Sequence, residues 1–347
     1  MSVLVEDYEF WLLDLYLQPI RKLAAIGGRI TGNVNAQIRW SGEITLTETS
    51  ITSTAWNDYR IQVKRINRTD PEKPVVSSLG VFAVTSTKNQ DGGSENDTSQ
   101  QLQFYDLTSF LADSATAQTL TIPAGTDVIA QVQQLCSEVA ALQVIVDPDA
   151  GMERLRSPLT FEPGTSRLKI VNELLRAGGF FAIYTDSLGR LRCSKYAPPE
   201  KRPVVYTFKN NTLHKRHLPG LAWDEEILRP NEIICHSTST GDKPGMIAIA
   251  RNENPESPYS YQRQHRWITR SEQNVEATSQ AVLDAYAQRL LQSGVSGKVY
   301  RREMLYTPLD LNAVVRGEDD GLEVVENLSL DCSPGALLQV TSRQVGV

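Results

Sequence analysis

Residues Phe161–Tyr196 read FEPGTSRLKIVNELLRAGGFFAIYTDSLGRLRCSKY, and the period of the side chains changes partway along. Pro163-Gly164 marks a turn, and Thr165 or Ser166 offers a side-chain oxygen to the free N–H groups of a first helical turn. Leu168, Val171, Leu174 and Leu175 then fall on one face of a helix, which Gly178-Gly179 stops because glycine accepts a left-handed backbone. Alternation takes over in FFAIYTD, Leu188-Gly189 makes a tight turn, and RLRCSKY returns as a second strand. Helix, strand, turn, strand is the expected order.

The preceding stretch contains a near-repeat of this unit. Thr126-Asp127 caps VIAQVQQLCSEVAAL, which leads into QVIVD, so each copy is a helix followed by a strand, and the two are expected to share a small sheet. On either side the chain reads as β. Phe10–Leu17 is strand-like and Pro19-Ile20-Arg21 breaks it. Val34–Thr47 reads as two short strands or one bulged strand, and Tyr59–Ile66 alternates with Tyr59, Ile61 and Val63 on one face. SSLGVFAVTS and LQFYDLT are further strands, and the polar, glycine-containing Lys88–Gln101 between them is expected to be an exposed loop that orders against a neighbour. After residue 201 come PVVYTF, WDEEI, NEIICHST, MIAIARN, VYRREMLY, NAVVRG, LEVVENLSL and ALLQVTSRQV. Among these lies a helix over Ser271–Ser293, striped by Val275, Val282, Tyr286, Leu290 and Leu291. The fold class is mainly β with an inserted α/β unit.

The 347 residues are enough for two or three domains, and 40% hydrophobic with 22% charged residues is ordinary for a globular chain. The net charge of −6 is spread without a basic segment, which argues against a dedicated nucleic-acid binder. Cys136, Cys193, Cys235 and Cys332 form no CxxC pair and suit buried free thiols in a reducing place of synthesis. The N-terminal WLLDLYL is interrupted by Asp14 and preceded by Glu6, Asp7 and Glu9, so it reads as a half-buried strand, with neither a signal peptide nor a membrane span expected.

The search for chemistry finds no catalytic, cofactor-binding or metal-binding residues. Gly294-Val295-Ser296-Gly297-Lys298 lacks the spacing of a phosphate loop and the last glycine of a nucleophile elbow. His214 and His217 are three apart without a carboxylate or cysteine at ligand spacing, and His236 and His265 have no local partner. Asp147-Pro148-Asp149 and Glu318-Asp319-Asp320-Gly321 are read as charged turns rather than Ca²⁺ loops. YSYQRQHRWITR carries Arg263, Arg266 and Arg270 among aromatics, a pattern open to a nucleic-acid or partner surface but better suited to a two-faced strand before the long helix.

The order of YEFWLLDLYLQPIRKL, TGNVNAQIRWSGEITLTE and YRIQVKRI, then TFEPGTSRLKIVNELLRAGGFFAIYTDSLGRLRCSKY, PVVYTFKNN and MLYTPLDLNAVVRG resembles the baseplate hub, or minor tail protein, of long-tailed bacteriophages, especially those of actinobacteria. Such hubs are similar to the trimeric hub of contractile tails. The resemblance implies two tail-tube-like β-barrels: residues 1–117 completed by 201–228, and 229–347 with helix 271–293, with the α/β unit 118–200 inserted between them. It further implies a structural, non-enzymatic homotrimer whose ring joins the tail tube to the tip or central fibre. The implied neighbours are the distal tail protein, the tape measure protein and the tail fibre or central tip proteins. DNA would pass through the lumen without specific binding, no cofactor would be needed, and the chain would be made in the host cytoplasm and end in the virion. No lysin or fibre segment is expected after Val347, and those activities are expected on other proteins. The rival readings are a carbohydrate-binding adhesin using Trp40, Trp56, Trp223 and Trp267, or a cell-wall hydrolase acting through a carboxylate pair.

Overall fold

The α/β segment follows the reading of its sequence closely. In the computed structural model, which describes residues 5–47, 51–91, 98–140, 142–148, 151–209, 221–224, 229–237, 244–295 and 298–345, a helix runs from Arg167 to Ala177, and the Ser166 hydroxyl accepts from the Lys169 N–H. Leu168, Val171, Leu174 and Leu175 are fully buried. The helix closes with paired bonds from Phe180 N to Leu175 O and from Gly179 N to Arg176 O, with Gly179 at φ +75°. Only Tyr184–Thr185 of FFAIYTD pairs regularly with Leu191–Cys193. The reason is local: the Asn172 side chain takes the Ile183 N–H, and Arg39 donates to the Ala182 carbonyl.

The near-repeat is longer than its helices suggested. Leu120–Ile122 precedes the helix Val128–Ser137 just as Leu159–Phe161 precedes Arg167–Ala177, and these two strands pair antiparallel. The segments LTIPAGTD and LTFEPGTS carry matching turns. Gly125 and Gly164 have φ of +83° and +84°, and the Thr126 and Thr165 hydroxyls each donate to a carbonyl three residues back. Val144–Val146 joins Leu191–Cys193 in parallel, so both copies share one three-stranded sheet, as expected. The helices pack on each other over a common core.

A 13-stranded, mostly antiparallel sheet organises the rest of the chain. Glu6–Leu13, Arg60–Asn67, Val75–Asp91, Thr98–Asp106, Trp40–Leu46 and Ala25–Asn33 pair in that order, and Leu322–Asp331 continues the sheet beside Ala25–Asn33. Leu338–Gln344, Val299–Met304 and Ala222–Asp224 follow. One core serves both halves, with Phe10, Ile61 and Phe104 clustering with Met304, Val325 and Val340.

Several expectations are corrected. Pro19 does not end the β structure, because Pro19–Leu23 folds back on Glu6–Leu13 as the edge strand, where a missing N–H costs nothing. Ala25–Asn33 is a strand despite three glycines; a Cβ on Gly28 would stand 2.6 Å from the Glu43 carbonyl, and one on Gly32 would meet the Trp40 ring at 2.7 Å. Residues 34–39 are a turn rather than strand. Most of the loop expected at Lys88–Gln101 is hairpin, with Lys88 opposite Gln101 and Asp91 opposite Thr98; residues 92–97 lie outside the described ones. A ladder of backbone bonds needs no apolar side chains, and the buried Gln100 is held by the Trp56 indole, the Ile51 carbonyl and Asn89.

The long helix is Gln280–Val295, not 271–293. Thr269–Glu272 is instead a strand parallel to Glu232–His236, Asn274 turns the chain at φ 57°, and the Ser279 hydroxyl accepts from Val282 N. The buried face is Leu283, Ala287 and Leu291, while Val282, Tyr286 and Leu290 are half-buried beside it. This helix packs on the three-stranded sheet of Ile247–Arg251, Glu232–His236 and Thr269–Glu272, with a core of its own. Val299–Met304, Val314–Arg316, Leu322–Asp331 and Leu338–Gln344 pair into the large sheet instead. Val204–Thr207 runs parallel to Val314–Arg316, and Ala222–Asp224 pairs with Val299–Met304.

Candidate functional site

The inserted unit meets the large sheet and the helix-bearing unit at a three-way joint with polar contacts on both sides. On the sheet side, Arg39 donates to the Ala182 carbonyl at 3.2 Å and lies over the Tyr184 ring, and Ser78 donates to the Ser187 carbonyl at 2.6 Å. Asp106, at the end of its strand, accepts from Trp40 N and Thr108 N at 2.8 Å and from the Thr108 hydroxyl. Burial raises the Asp106 pKa, with those bonds and the Arg39 charge opposing. On the helix side, Glu153 accepts from Lys195 at 2.6 Å and from the Thr278 hydroxyl at 2.9 Å. Glu276 accepts from Ser157, and Arg156 donates to the Pro244 carbonyl.

Arginines and aromatic rings alternate across this joint. Arg176 lies over Tyr286, Arg289 stands 4.9 Å from the centroids of both Tyr286 and Tyr196, Tyr196 packs against Phe181, and Arg202 covers Phe181. Each cation faces the negative side of a ring, an attraction that grows as water is excluded. A second buried charge cluster lies within the large sheet. Arg302 makes a two-pronged pair with Glu323 at 2.8 and 2.9 Å, reaches Glu318 at 2.6 Å, and donates to Ser342 at 2.8 Å. Burial presses on Arg302, but the hydrogen bonds and charge of both glutamates outweigh it and hold the guanidinium above its usual range.

A cleft of about 320 Å³ opens between the bulge at Gly80, the hairpin turn at Asp186-Ser187 and the loop Tyr306–Asp310. It contains two carboxylates. Asp310 stands at the mouth, open to solvent yet walled by protein, and burial followed by the Asp186 charge raises its pKa. Asp186 is already engaged: it accepts from Leu188 N and Arg190 N at 3.0 Å and from Arg190 Nε at 2.8 Å. It organises the turn around Gly189 and is not free to act as a nucleophile.

The structure places the other sequence candidates as follows. Asp147 pairs with Arg192, Glu318 with Arg302, and Asp319 accepts from Gly321 N; Asp149 lies outside the described residues. Among the described residues no cluster of three or more His, Cys, Asp or Glu could hold a metal, and no helix is long and apolar enough to cross a membrane. His214 and His217 lie outside the described residues, as do residues 296–297 of the glycine-lysine stretch. All four cysteines are buried and free. In YSYQRQHRWITR, Tyr261–Gln264 is a short helix, Trp267 stacks on Tyr261 at 4.5 Å, and the strand begins only at Thr269. Trp56 is buried, Trp40 packs on the main core, and Trp223 alone of the four adhesin candidates is exposed, at 54%, beneath Lys298. The arginine–aromatic ladder escaped sequence reading because its members come from separate elements.

No family profile matches the chain, and no curated relative matches it. Solved structures do. The tail protein from Neisseria meningitidis MC58 superposes with a TM-score of 0.67 at 13% identity, over 98% of this chain and 96% of the other. The 43 kDa tail protein of prophage MuSo2 from Shewanella oneidensis gives 0.63 at 13% identity, over 97% and 98%. The c3393 protein of Escherichia coli, a type VI secretion component described as similar to the T4 tail proteins gp27 and gp5, gives 0.50 at 10% identity, over 94% and 74%. The chain thus has the fold of phage tail proteins from end to end, the class its sequence resembles.

Proposed function

We propose that this protein is a structural hub of a phage tail tip or baseplate. Three copies close into a ring that joins tube to tip, lets DNA through without binding it specifically, and meets the distal tail, tape measure and fibre or central tip proteins. The observation that carries the reading is the likeness to tail proteins over nearly the whole of both chains. The strand order supports a ring. Three strands of the large sheet have one free edge among the described residues: Pro19–Leu23 with exposed Ile20, Ala222–Asp224 with exposed Trp223, and Val204–Thr207 with exposed Val205. Contacts between unlike edges of successive copies are heterologous, and such contacts close into rings when the rotation permits. The role is mechanical rather than catalytic: Asp186 is committed to its turn, and the joint is built from arginine–ring stacks and buried ion pairs.

Gold-labelled antibody against the chain, applied to negatively stained virions, tests the location. Label at the tail tip is expected; label on heads or along the tube would overturn it. Peptidoglycan release by the purified protein, lost in Asp310→Asn, would favour the hydrolase reading instead.

A further inference from the structure

We propose that the pocket between Phe181, Tyr196, Arg202 and Arg289 receives the carboxylate of an acidic side chain from a partner protein. The pocket has a volume of about 250 Å³ and lies where the inserted unit, the long helix and the large sheet converge. Val34, Pro199 and Val324 add apolar wall.

Two arginines in this pocket lack a counter-charge in contact. Arg289 lies between the faces of Tyr196 and Tyr286, each centroid 4.9 Å away, and makes no ion pair with any described residue. Arg202 spends one Nη on the Asn312 carbonyl at 2.7 Å, and its buried Nε–H has no partner. The acid on the wall, Glu326, is already taken by Arg343 at 2.6 and 3.2 Å. Glu200 acts on Arg202 through space without a bond to it. Buried cations are ordinarily paired, because removing one from water costs several kcal/mol on the order of what a good partner returns. Arg302 and Arg176 follow that rule, each holding a glutamate.

The electrostatics agree with the geometry. Burial holds both Arg202 and Arg289 below the usual arginine range, and for Arg289 the neighbouring Arg176 charge adds to it. Arg176 and Arg302 sit above that range: Glu173 with Tyr286 outweighs burial at Arg176, and Glu318 with Glu323 does so at Arg302. A carboxylate between Arg202 and Arg289 would face both guanidinium groups and neutralise the surplus charge. The mostly apolar wall suits an acid carried on a methylene stem, such as glutamate, better than a free inorganic anion, which would leave the rings of Phe181 and Tyr196 facing nothing.

The test uses the full chain labelled with ¹⁵N-arginine and titrated with N-acetyl-glutamate as its α-amide, so that the side chain carries the only carboxylate, with the neutral α-amide of N-acetyl-glutamine and inorganic phosphate as parallel probes. Nε resonances are assigned through Arg289→Gln and Arg202→Lys. The expected result is a saturable shift of the Arg202 and Arg289 signals with N-acetyl-glutamate alone, with an affinity lowered about tenfold or more in Arg289→Gln, the loss of one charge-assisted pair. No saturable shift, an equal shift with the neutral amide, or a response to phosphate but not to N-acetyl-glutamate would each overturn it. The wild-type titration decides this even where a variant folds poorly. A positive result would hold whether or not the chain forms a ring, so its failure and the failure of the hub reading are separable.

Discussion

Replacing Arg302 with methionine removes the cation from a cluster that the protein has sealed from water. The side chains of Arg302 and Glu323 are 1% and 0% exposed, and among the described residues Glu323 keeps only the Ser342 hydroxyl as a side-chain donor once the guanidinium is gone. Breaking a buried pair from one side costs about 3–5 kcal/mol, because the surviving charge has no solvation. With a urea m-value of roughly 3 kcal/mol/M at the upper end for a chain of this size, the midpoint should fall by about 1–2 M. Arg302→Met/Glu323→Leu should regain at least half of the loss, since two apolar groups in the same space need no partner.

The loss also depends on pH. Burial raises the Glu323 pKa in the wild type against the opposing pull of Arg302, and removing Arg302 raises it further. Between the unfolded and folded values the folded variant holds a proton that the unfolded chain does not, so stability falls as pH rises through that interval. The deficit of Arg302→Met should therefore be larger at pH 8 than at pH 5. Urea unfolding followed by tryptophan fluorescence at both values reads it. A deficit below about 1 kcal/mol at pH 8, or one that grows toward acid, would refute the account of the cluster.

Three further perturbations probe other parts of the fold. Leu283→Ala, on the buried face of the long helix, should cost about 2–5 kcal/mol in urea unfolding, whereas truncating the exposed Gln288 to alanine should change little. Leu17 sits at φ 63° in a turn pinned by the Asp14 carboxylate, so Leu17→Gly should leave stability unchanged or raise it by up to about 1 kcal/mol; a loss of that size would mean that the Leu17 side chain contributes more than its backbone costs. The thiols of Cys136, Cys193 and Cys332 are pushed up to about 12 by burial, so none should react with a disulfide reagent at pH 8 until the chain unfolds, when all four should titrate.

What the sequence disclosed and what it hid divide along physical lines. The helix Arg167–Ala177 was legible because period, cap and glycine stop agree over a short span. The strand AIGGRITGN was hidden because its glycines lower strand propensity, and the reason for them, the Trp40 ring and the Glu43 carbonyl pressed against the backbone, lies on a neighbouring strand. Ser271 and Glu272 looked like a helix start because a serine followed by acids suits that role, yet the ladder with Ile234 and Cys235 claims them first. LTIPAGTD and LTFEPGTS were visible as a repeat and would have extended both units by a strand. The union of the two β regions through Ala25–Asn33 and Leu322–Asp331 could not be read locally, since about three hundred residues separate partners whose alternation fits any register. The same holds for Arg176, Phe181, Tyr196, Arg202, Tyr286 and Arg289, which tertiary packing alone brings together.

The mass of the purified protein by light scattering, alone and mixed with its neighbouring tail proteins, tests the hub reading most directly. A species of three times 38.6 kDa is expected, alone or once a neighbour templates it, appearing as a ring with a central hole by negative stain. A mass of 38.6 kDa that persists under both conditions would contradict it.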